Sequence, residues 1–170
     1  PAGLSPLDLR IEEIRRSVEA GASEIDIVIS RRHVLSGDWQ ALYDEMRAFR
    51  EACGEAHVKA ILATGELGSL RNVARASLVC MMAGADFIKT STGKVAVNAT
   101  LEAAEIMLTA IEEARRDNAE RVIGFKPAGG IKTASDAAAY LALADKIMGH
   151  NWVSASTFRF GASGLLDALT

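Results

Sequence analysis

Short apolar segments and amphipathic helical patterns alternate along the chain, and this alternation restricts the fold more than any other feature. Residues 6–20 carry Ile11, Ile14 and Val18 as a helical stripe, with Ser5 placed to cap it, Pro6 suited to its first turn and Gly21 as its stop. EIDIVI at 24–29 then reads as a buried strand. A second helix follows from a cap at Asp38, with Trp39, Leu42, Met46 and Phe49 on one face and Gly54 at its end, and a strand at 58–62 comes next. Helices at 69–83, 100–116 and 133–148 each lead into a strand, at 87–90, 122–126 and 157–160, and a last helix starts within 163–169. Strands separated by helices pair in parallel through right-handed crossovers.

Two architectures satisfy that pattern. A closed (β/α)8 barrel takes eight strands and about 250 residues; an open, doubly wound sheet is the competitor. Five strands are legible in these 170 residues, which leaves a barrel roughly three βα units short. The first βα turn carries no G-x-G-x-x-G, which weakens the dinucleotide-binding version of the open sheet. No low-complexity linker interrupts the chain, so 1–170 reads as one domain.

Composition removes several classes of function. Apolar residues make up 49% of the chain and charged residues 24%, the balance of a soluble globular domain. The net charge is −3 and no basic run exceeds Arg31-Arg32 or Arg115-Arg116, so nucleic acid is not an expected partner. The longest apolar stretch, near 76–85, is far too short for a membrane span. Cys53 and Cys80 both lie in helical patterns, which suits a reducing cytoplasm better than a disulfide framework. No signal peptide is evident, and the chain begins at Pro1 rather than Met, as a piece of a longer protein would. His33 and His150 read as loop residues and His57 as a strand start; neither they nor the cysteines have metal-ligand spacing. Cys80, Met81 and Met82 read as helix packing.

Chemistry concentrates at strand ends. ADFIKTSTGKVAVNAT (85–100) sets Lys89 in an apolar strand and follows it with a loop of small residues. Burial disfavours the ammonium, and the neutral amine is the nucleophilic form. VIGFKPAGGI (122–131) repeats the arrangement with Lys126 one helix-plus-strand unit later, so the two lysines fall on neighbouring parallel strands. If both point inward, each ammonium disfavours the other. The alternative is that each lysine ends its strand and snorkels outward. Asp26, between Ile25 and Ile27, is a carboxylate in an apolar strand and needs a cationic partner or a proton. An inward lysine would serve, and a carboxylate beside an amine is suited to moving protons. A strand-edge Asp facing a helix terminus is the competing role. Glu24, at the start of the same strand, reads as structural. Gly129-Gly130 and the Gly161-Ala162-Ser163 turn let backbone N–H groups approach an anion, and Gly93 and Lys94 add to the same end of the molecule. Either glycine turn alone is equally well explained as a plain turn. Thr64-Gly65-Glu66 reads as a turn after a strand with a hydrogen-bonded carboxylate.

Taken together, DFIKTSTGK at 86–94, GFKPAGGI at 124–131 and FRFGAS at 158–163 resemble the signature segments of the deoxyribose-phosphate aldolase family, class I aldolases of deoxynucleoside breakdown. EIDIVISR at 24–31, LATGEL at 62–67 and VNAT at 97–100 are similar as well, and the likeness runs from Pro1 to the C-terminus. It implies a (β/α)8 TIM barrel truncated to roughly its last five βα units, with PAGL at the start resembling the end of a third strand. It assigns Lys89 as the Schiff-base lysine, Lys126 as the neighbour that depresses its pKa and Asp26 as the acid/base carboxylate. Gly93, Lys94, Gly129, Gly130 and Ser163 would hold the substrate phosphate. Two departures stand out: Gly164 lies where Ser or Thr is expected, and the tyrosine-bearing tail of some members has no counterpart before Thr170.

The reaction so implied is reversible cleavage of 2-deoxyribose 5-phosphate to glyceraldehyde 3-phosphate and acetaldehyde. The phosphosugar is the only partner implied, with a homo-oligomer left open and a cytoplasmic location. No metal or other cofactor is called for, because an iminium supplies the electron sink. Another Schiff-base barrel, such as a transaldolase-like or keto-acid aldolase, and an inactive phosphosugar-binding remnant are the alternatives. Five strands cannot close the barrel, so the strands at 24–29 and 157–160 are expected as open edges. The helices should lie on one face and an apolar inner face should be exposed. By itself the chain should self-associate or stay partly unfolded, with little aldolase activity.

Overall fold

The computed structural model describes residues 3–118 and 120–165. Their order is α1 (Leu7–Glu19), β1 (Glu24–Val28), α2 (Arg31–Ser36), α3 (Trp39–Cys53), β2 (His57–Ile61), a 3-10 turn (Thr64–Glu66), α4 (Leu70–Met82), β3 (Phe87–Lys89), α5 (Leu101–Asp117), β4 (Gly124–Lys126) and α6 (Ala134–Met148). The four strands form one parallel sheet in the order β1-β2-β3-β4. Chain order and spatial order coincide, as when each helix carries the chain one strand further round a barrel wall.

Local chemistry sets the helix starts. The side chains of Asp38, Ser69 and Thr100 accept from the backbone N–H of Ala41, Asn72 and Ala103, and Thr133 with Asp136 forms a reciprocal capping box. At α1 the expectation fails. Pro6 itself holds the cap position, so Ser5 lies one residue too early and makes no cap bond. The short helix α2 is unexpected: its six residues are too few to show a period, and they place His33 in a helix rather than a loop.

Alternation along the strands divides the sheet into two faces. Ile25, Val58, Ala60, Ile88 and Phe125 join the apolar sides of the helices in one core that includes Leu42, Met46, Phe49, Met107 and Leu108. The opposite face holds Asp26, Lys59, Lys89 and Lys126 together with Val28, Ile61 and Phe87. The expected exposed apolar surface is absent there, because those three apolar side chains are buried and the rest of the face is charged and ion-paired. Gly124 contributes by having no side chain: a Cβ at that position would lie 2.2 Å from the Phe87 ring.

The segment expected as a fifth strand, 157–160, is not a strand. It meets β4 through two isolated parallel bridges, Phe125 with Phe158 and Ala128 with Gly161. Phe125 N–H donates to Thr157, Arg159 N–H to Phe125 and Gly161 N–H to Pro127. The next bond of the ladder would need an N–H from Pro127, which proline lacks, and the pairing is interrupted there. Ser163–Leu165 form a bend and turn; the remainder of the helix expected there, 166–169, and the first two residues of PAGL lie outside the described residues.

Two polar clusters fix helices to strand ends. Arg10 of α1 pairs with Glu45 of α3 at 2.9 Å, stacks over Phe49 and donates to the carbonyl of Val28, while Glu45 accepts from the Ser30 N–H. Both charged side chains are buried. At the opposite end of the sheet, Asp86 accepts from Arg50 at 2.7 Å and from the Val58 N–H at 2.8 Å, joining α3, β2 and β3.

Candidate active site

Parallel register brings the candidate residues together. Lys89 on β3 is the direct partner of Lys126 on β4, and Asp26 on β1 is the partner of Lys59 on β2. All four lie on the face turned away from the helices. Asp26 Oδ2 is 2.6 Å from Lys89 Nζ and 2.9 Å from Lys126 Nζ, while Oδ1 is 3.2 Å from Lys59 Nζ. Lys59 also pairs with Glu24, whose other oxygen is 3.3 Å from the Arg159 guanidinium. Arg159 in turn stacks over Phe87. Four cations therefore surround two carboxylates, and the site carries excess positive charge.

Burial and charge act in opposite directions on these groups. Burial alone would raise the Asp26 carboxyl, but hydrogen bonds from Lys89 and Lys126, then their charges, outweigh it and hold Asp26 well below the usual carboxylate range. Burial lowers Lys89 from the ordinary ammonium value and Lys126 lowers it further; Asp26 opposes the shift without cancelling it. The largest cause is thus desolvation rather than the neighbouring cation. Glu24 is lowered, chiefly by its hydrogen bond from Lys59. Lys89 keeps 12% of its side-chain surface and Lys126 18%, so both nitrogens stay within reach of a small molecule while their stems are packed.

The anion-binding candidates divide into two groups. Gly93 and Gly129 adjoin: a Cβ on Gly129 would stand 2.8 Å from the Gly93 Cα and from Asn98, and both glycines have positive φ, +80°. Gly129 N–H donates to Gly161 at 3.0 Å, and the Ser91 hydroxyl lies 2.6 Å from the Ala128 carbonyl oxygen, so three successive loops are joined. Gly130 follows at φ +82° with open space beside it. Lys94 and Ser163 are exposed, and their side chains make no hydrogen bond or ion pair among the described residues. Glu66 pairs with Arg31 at 3.3 Å, the bland role expected of it.

Lys59 and Arg159 escaped the sequence reading. Lys59 is the most buried charged side chain of the cluster, with 4% of its surface exposed. The signal was available in HVKAI, since the alternation that points Val58 and Ala60 at the helices sends Lys59 to the face shared with Asp26.

Among the described residues no helix is long and apolar enough to cross a membrane. The chain is 59% identical to deoxyribose-phosphate aldolase of Mus musculus and 58% identical to that of Homo sapiens, each over 98% of this chain and 52% of the relative. It thus spans about half the length of the curated relatives it matches. Among solved structures it is similar to a tetrameric deoxyribose phosphate aldolase from Aeropyrum pernix, with a TM-score of 0.75, 25% identity and coverage of 99% of this chain and 63% of the other. The truncated-barrel reading of the parallel sheet agrees with that likeness. Residues 4–169 match the family described as DeoC/LacD family aldolase, and the chain belongs to that family.

Proposed function

We propose that the protein carrying this chain is a class I aldolase that reversibly cleaves 2-deoxy-D-ribose 5-phosphate to D-glyceraldehyde 3-phosphate and acetaldehyde. The observation that carries this reading is the sharing of Asp26 Oδ2 by Lys89 and Lys126. Lys89 is the nucleophile, because it has the lowered proton affinity that a reactive amine needs. Its amine adds to the C1 aldehyde of the open-chain sugar, and loss of water gives an iminium. Removal of the C3 hydroxyl proton then breaks the C2–C3 bond. The bond's electrons pass into the iminium as an enamine, and C3 leaves as the aldehyde of glyceraldehyde 3-phosphate. Protonation of the enamine carbon and hydrolysis release acetaldehyde and the free amine. Asp26, alone or through a water, moves these protons; Lys126 holds Asp26 and keeps positive charge beside Lys89.

The names of the mouse and human relatives favour deoxyribose phosphate over other carbonyl substrates. The joined loops at Gly93, Gly129 and Gly130 suit its phosphate, because residues without side chains let an anion approach the backbone there, with Gly130 opening onto free space and Lys94 and Ser163 exposed to reach it. The iminium supplies the electron sink, so the proposed chemistry requires no cofactor. Residues 1–170 act as one domain, the C-terminal portion of the barrel, in a cytoplasmic protein. Assembly into a homo-oligomer draws support from the tetrameric relative of Aeropyrum pernix.

The test is reduction of the intact protein with borohydride in the presence of acetaldehyde, followed by peptide mapping. The adduct is expected on Lys89. An adduct on Lys126 or Lys94, or none, overturns the assignment; identifying the products formed from deoxyribose 5-phosphate separates this aldolase from other Schiff-base barrels.

A further inference from the structure

We propose that Lys59 is a positioning residue for the acid/base carboxylate: by pairing with Asp26 Oδ1, it leaves Oδ2 as the single oxygen offered to both Lys89 and Lys126. The proposal rests on the class I reading of the site, and it assigns a task to a lysine outside the reacting pair.

The geometry has three parts. Lys59 and Asp26 are register partners on adjacent strands, so the backbone fixes their separation. Lys59 Nζ lies 3.2 Å from Oδ1, whereas Lys89 and Lys126 share Oδ2. Its second partner, Glu24, is itself tied to Arg159, so a chain of alternating charge runs Arg159, Glu24, Lys59 and Asp26, and branches at Asp26 to Lys89 and Lys126.

A lysine with 4% of its side chain exposed is retained only where charge compensates it. Here Glu24 supplies that compensation, and so Lys59 does not draw Asp26 wholly away from Lys89. Without Lys59, the carboxylate is free to rotate and both of its oxygens pair with Lys89 and Lys126. One cation is also lost. Both effects favour the ammonium form of Lys89. Without the negative charge of Glu24, Lys59 pulls harder on Asp26 and the pairing of Asp26 with Lys89 weakens, which favours the amine. The charged groups that act directly on Lys89 are Asp26 from β1 and Lys126 from β4, and Lys59 from β2, Glu24 from β1 and Arg159 beyond β4 act through Asp26, so these two substitutions act on the same circuit with opposite sign.

The experiment follows the titration of Lys89 by NMR in the intact protein labelled at the lysine Cε, in wild type, Lys59→Met, Lys59→Arg and Glu24→Gln. Lys59→Met should move the Lys89 midpoint to higher pH, reducing the amine fraction at neutral pH by about threefold or more. Lys59→Arg should restore a near wild-type midpoint, and Glu24→Gln should move it to lower pH. An unmoved midpoint in folded Lys59→Met, or a shift of the same sign in Lys59→Met and Glu24→Gln, overturns the proposal. Should Lys59→Met not fold by circular dichroism, Glu24→Gln decides alone: a fall supports the proposal, and a rise or no change overturns it. Wild-type trapping with acetaldehyde and borohydride, measured in parallel, reports separately on the aldolase reading.

Discussion

Lys89 and Lys126 are register partners on adjacent strands, and their ammonium nitrogens lie 2.6 Å and 2.9 Å from the same oxygen of Asp26. Paired with separate carboxylates, each lysine would be stabilised as a cation. Sharing one leaves a deficit of negative charge, and burial turns that deficit towards the amine of Lys89. The backbone register, rather than any mobile loop, sets this ratio of charges.

Lys126→Leu should slow the reaction at neutral pH mainly by restoring the ammonium of Lys89. One cation beside Lys89 disappears and Asp26 Oδ2 is left to Lys89 alone. The alkaline-rising limb of kcat/KM should move to higher pH, with about tenfold lower activity at neutral pH for each unit moved, and part of the activity should return in alkaline buffer. A uniformly reduced profile with an unmoved limb would assign Lys126 to substrate contact instead.

Asp26→Asn should separate imine formation from bond cleavage. The amide removes the negative charge that favours the Lys89 ammonium, so the amine fraction rises. It cannot accept and return protons, and cleavage should fall by about 10²-fold or more. Borohydride trapping with acetaldehyde should fall far less than turnover of the phosphosugar. Equal losses in both assays would mean that Asp26 acts before the iminium forms.

The cluster also ties stability to pH. Asp26 and Glu24 are held below ordinary carboxylate values in the folded chain, so the folded state binds fewer protons than the unfolded one in acid. Their contribution is complete above the unfolded carboxylate range, near pH 4, declines below it and is lost as pH falls through the lower folded values. Lys89 is also lowered, so its contribution grows as pH rises towards the unfolded lysine value. Urea midpoints should therefore decline below about pH 4, and Asp26→Asn should flatten that decline. Identical acid limbs in the two proteins would exclude Asp26 as a source of the pH dependence.

What the sequence made legible follows from where its signals are local. Lys89 and Lys126 were visible because each interrupts an apolar run at a strand end, and the repeat of one helix plus one strand aligned them. Asp26 was visible for the same reason. Lys59 carries a weaker form of the same signal, since alternation in HVKAI turns it away from Val58 and Ala60, but only the register with β1 sets it across from Asp26. The buried pair of Arg10 and Glu45 is likewise invisible along the chain, since it joins two helices whose approach is a property of the packed fold. The segment 157–160 has strand-like residues, but its pairing depends on a donor that Pro127, thirty-odd positions earlier, does not have. Apolar exposure on the inner face does not occur among the described residues because the chain places ion-paired charges there in place of a layered apolar barrel interior.

Arg10→Met should be among the most destabilising changes outside the charged inner face. It leaves Glu45 buried with Ser30 as its remaining partner among the described residues and removes the stacking over Phe49. Loss of one member of such a pair costs about 3–5 kcal/mol. The double variant with Glu45→Met should recover much of that loss, because both charges then leave the interior together. A thermal midpoint within a degree or two of wild type for Arg10→Met alone would show that the pair contributes little.

Gly129→Ala should test the proposed phosphate site without touching the amine proposed as nucleophile. The residue sits at φ +80°, a conformation that disfavours any Cβ, and the new methyl would stand 2.8 Å from Asn98 and the Gly93 Cα. Three loops meet at this position, so the substitution should push apart the turn at Gly129-Gly130 and the loop at Gly93-Lys94. Lys89 belongs to the strand beneath those loops and keeps its pairing with Asp26. The KM for deoxyribose 5-phosphate should rise by about tenfold or more, which corresponds to roughly 1.4 kcal/mol of lost binding. The rate of borohydride trapping with acetaldehyde, which has no phosphate, should stay near wild type. If both substrates suffer alike, the glycine turn supports the reactive lysine rather than the phosphate, and the anion site must be sought elsewhere on the barrel rim.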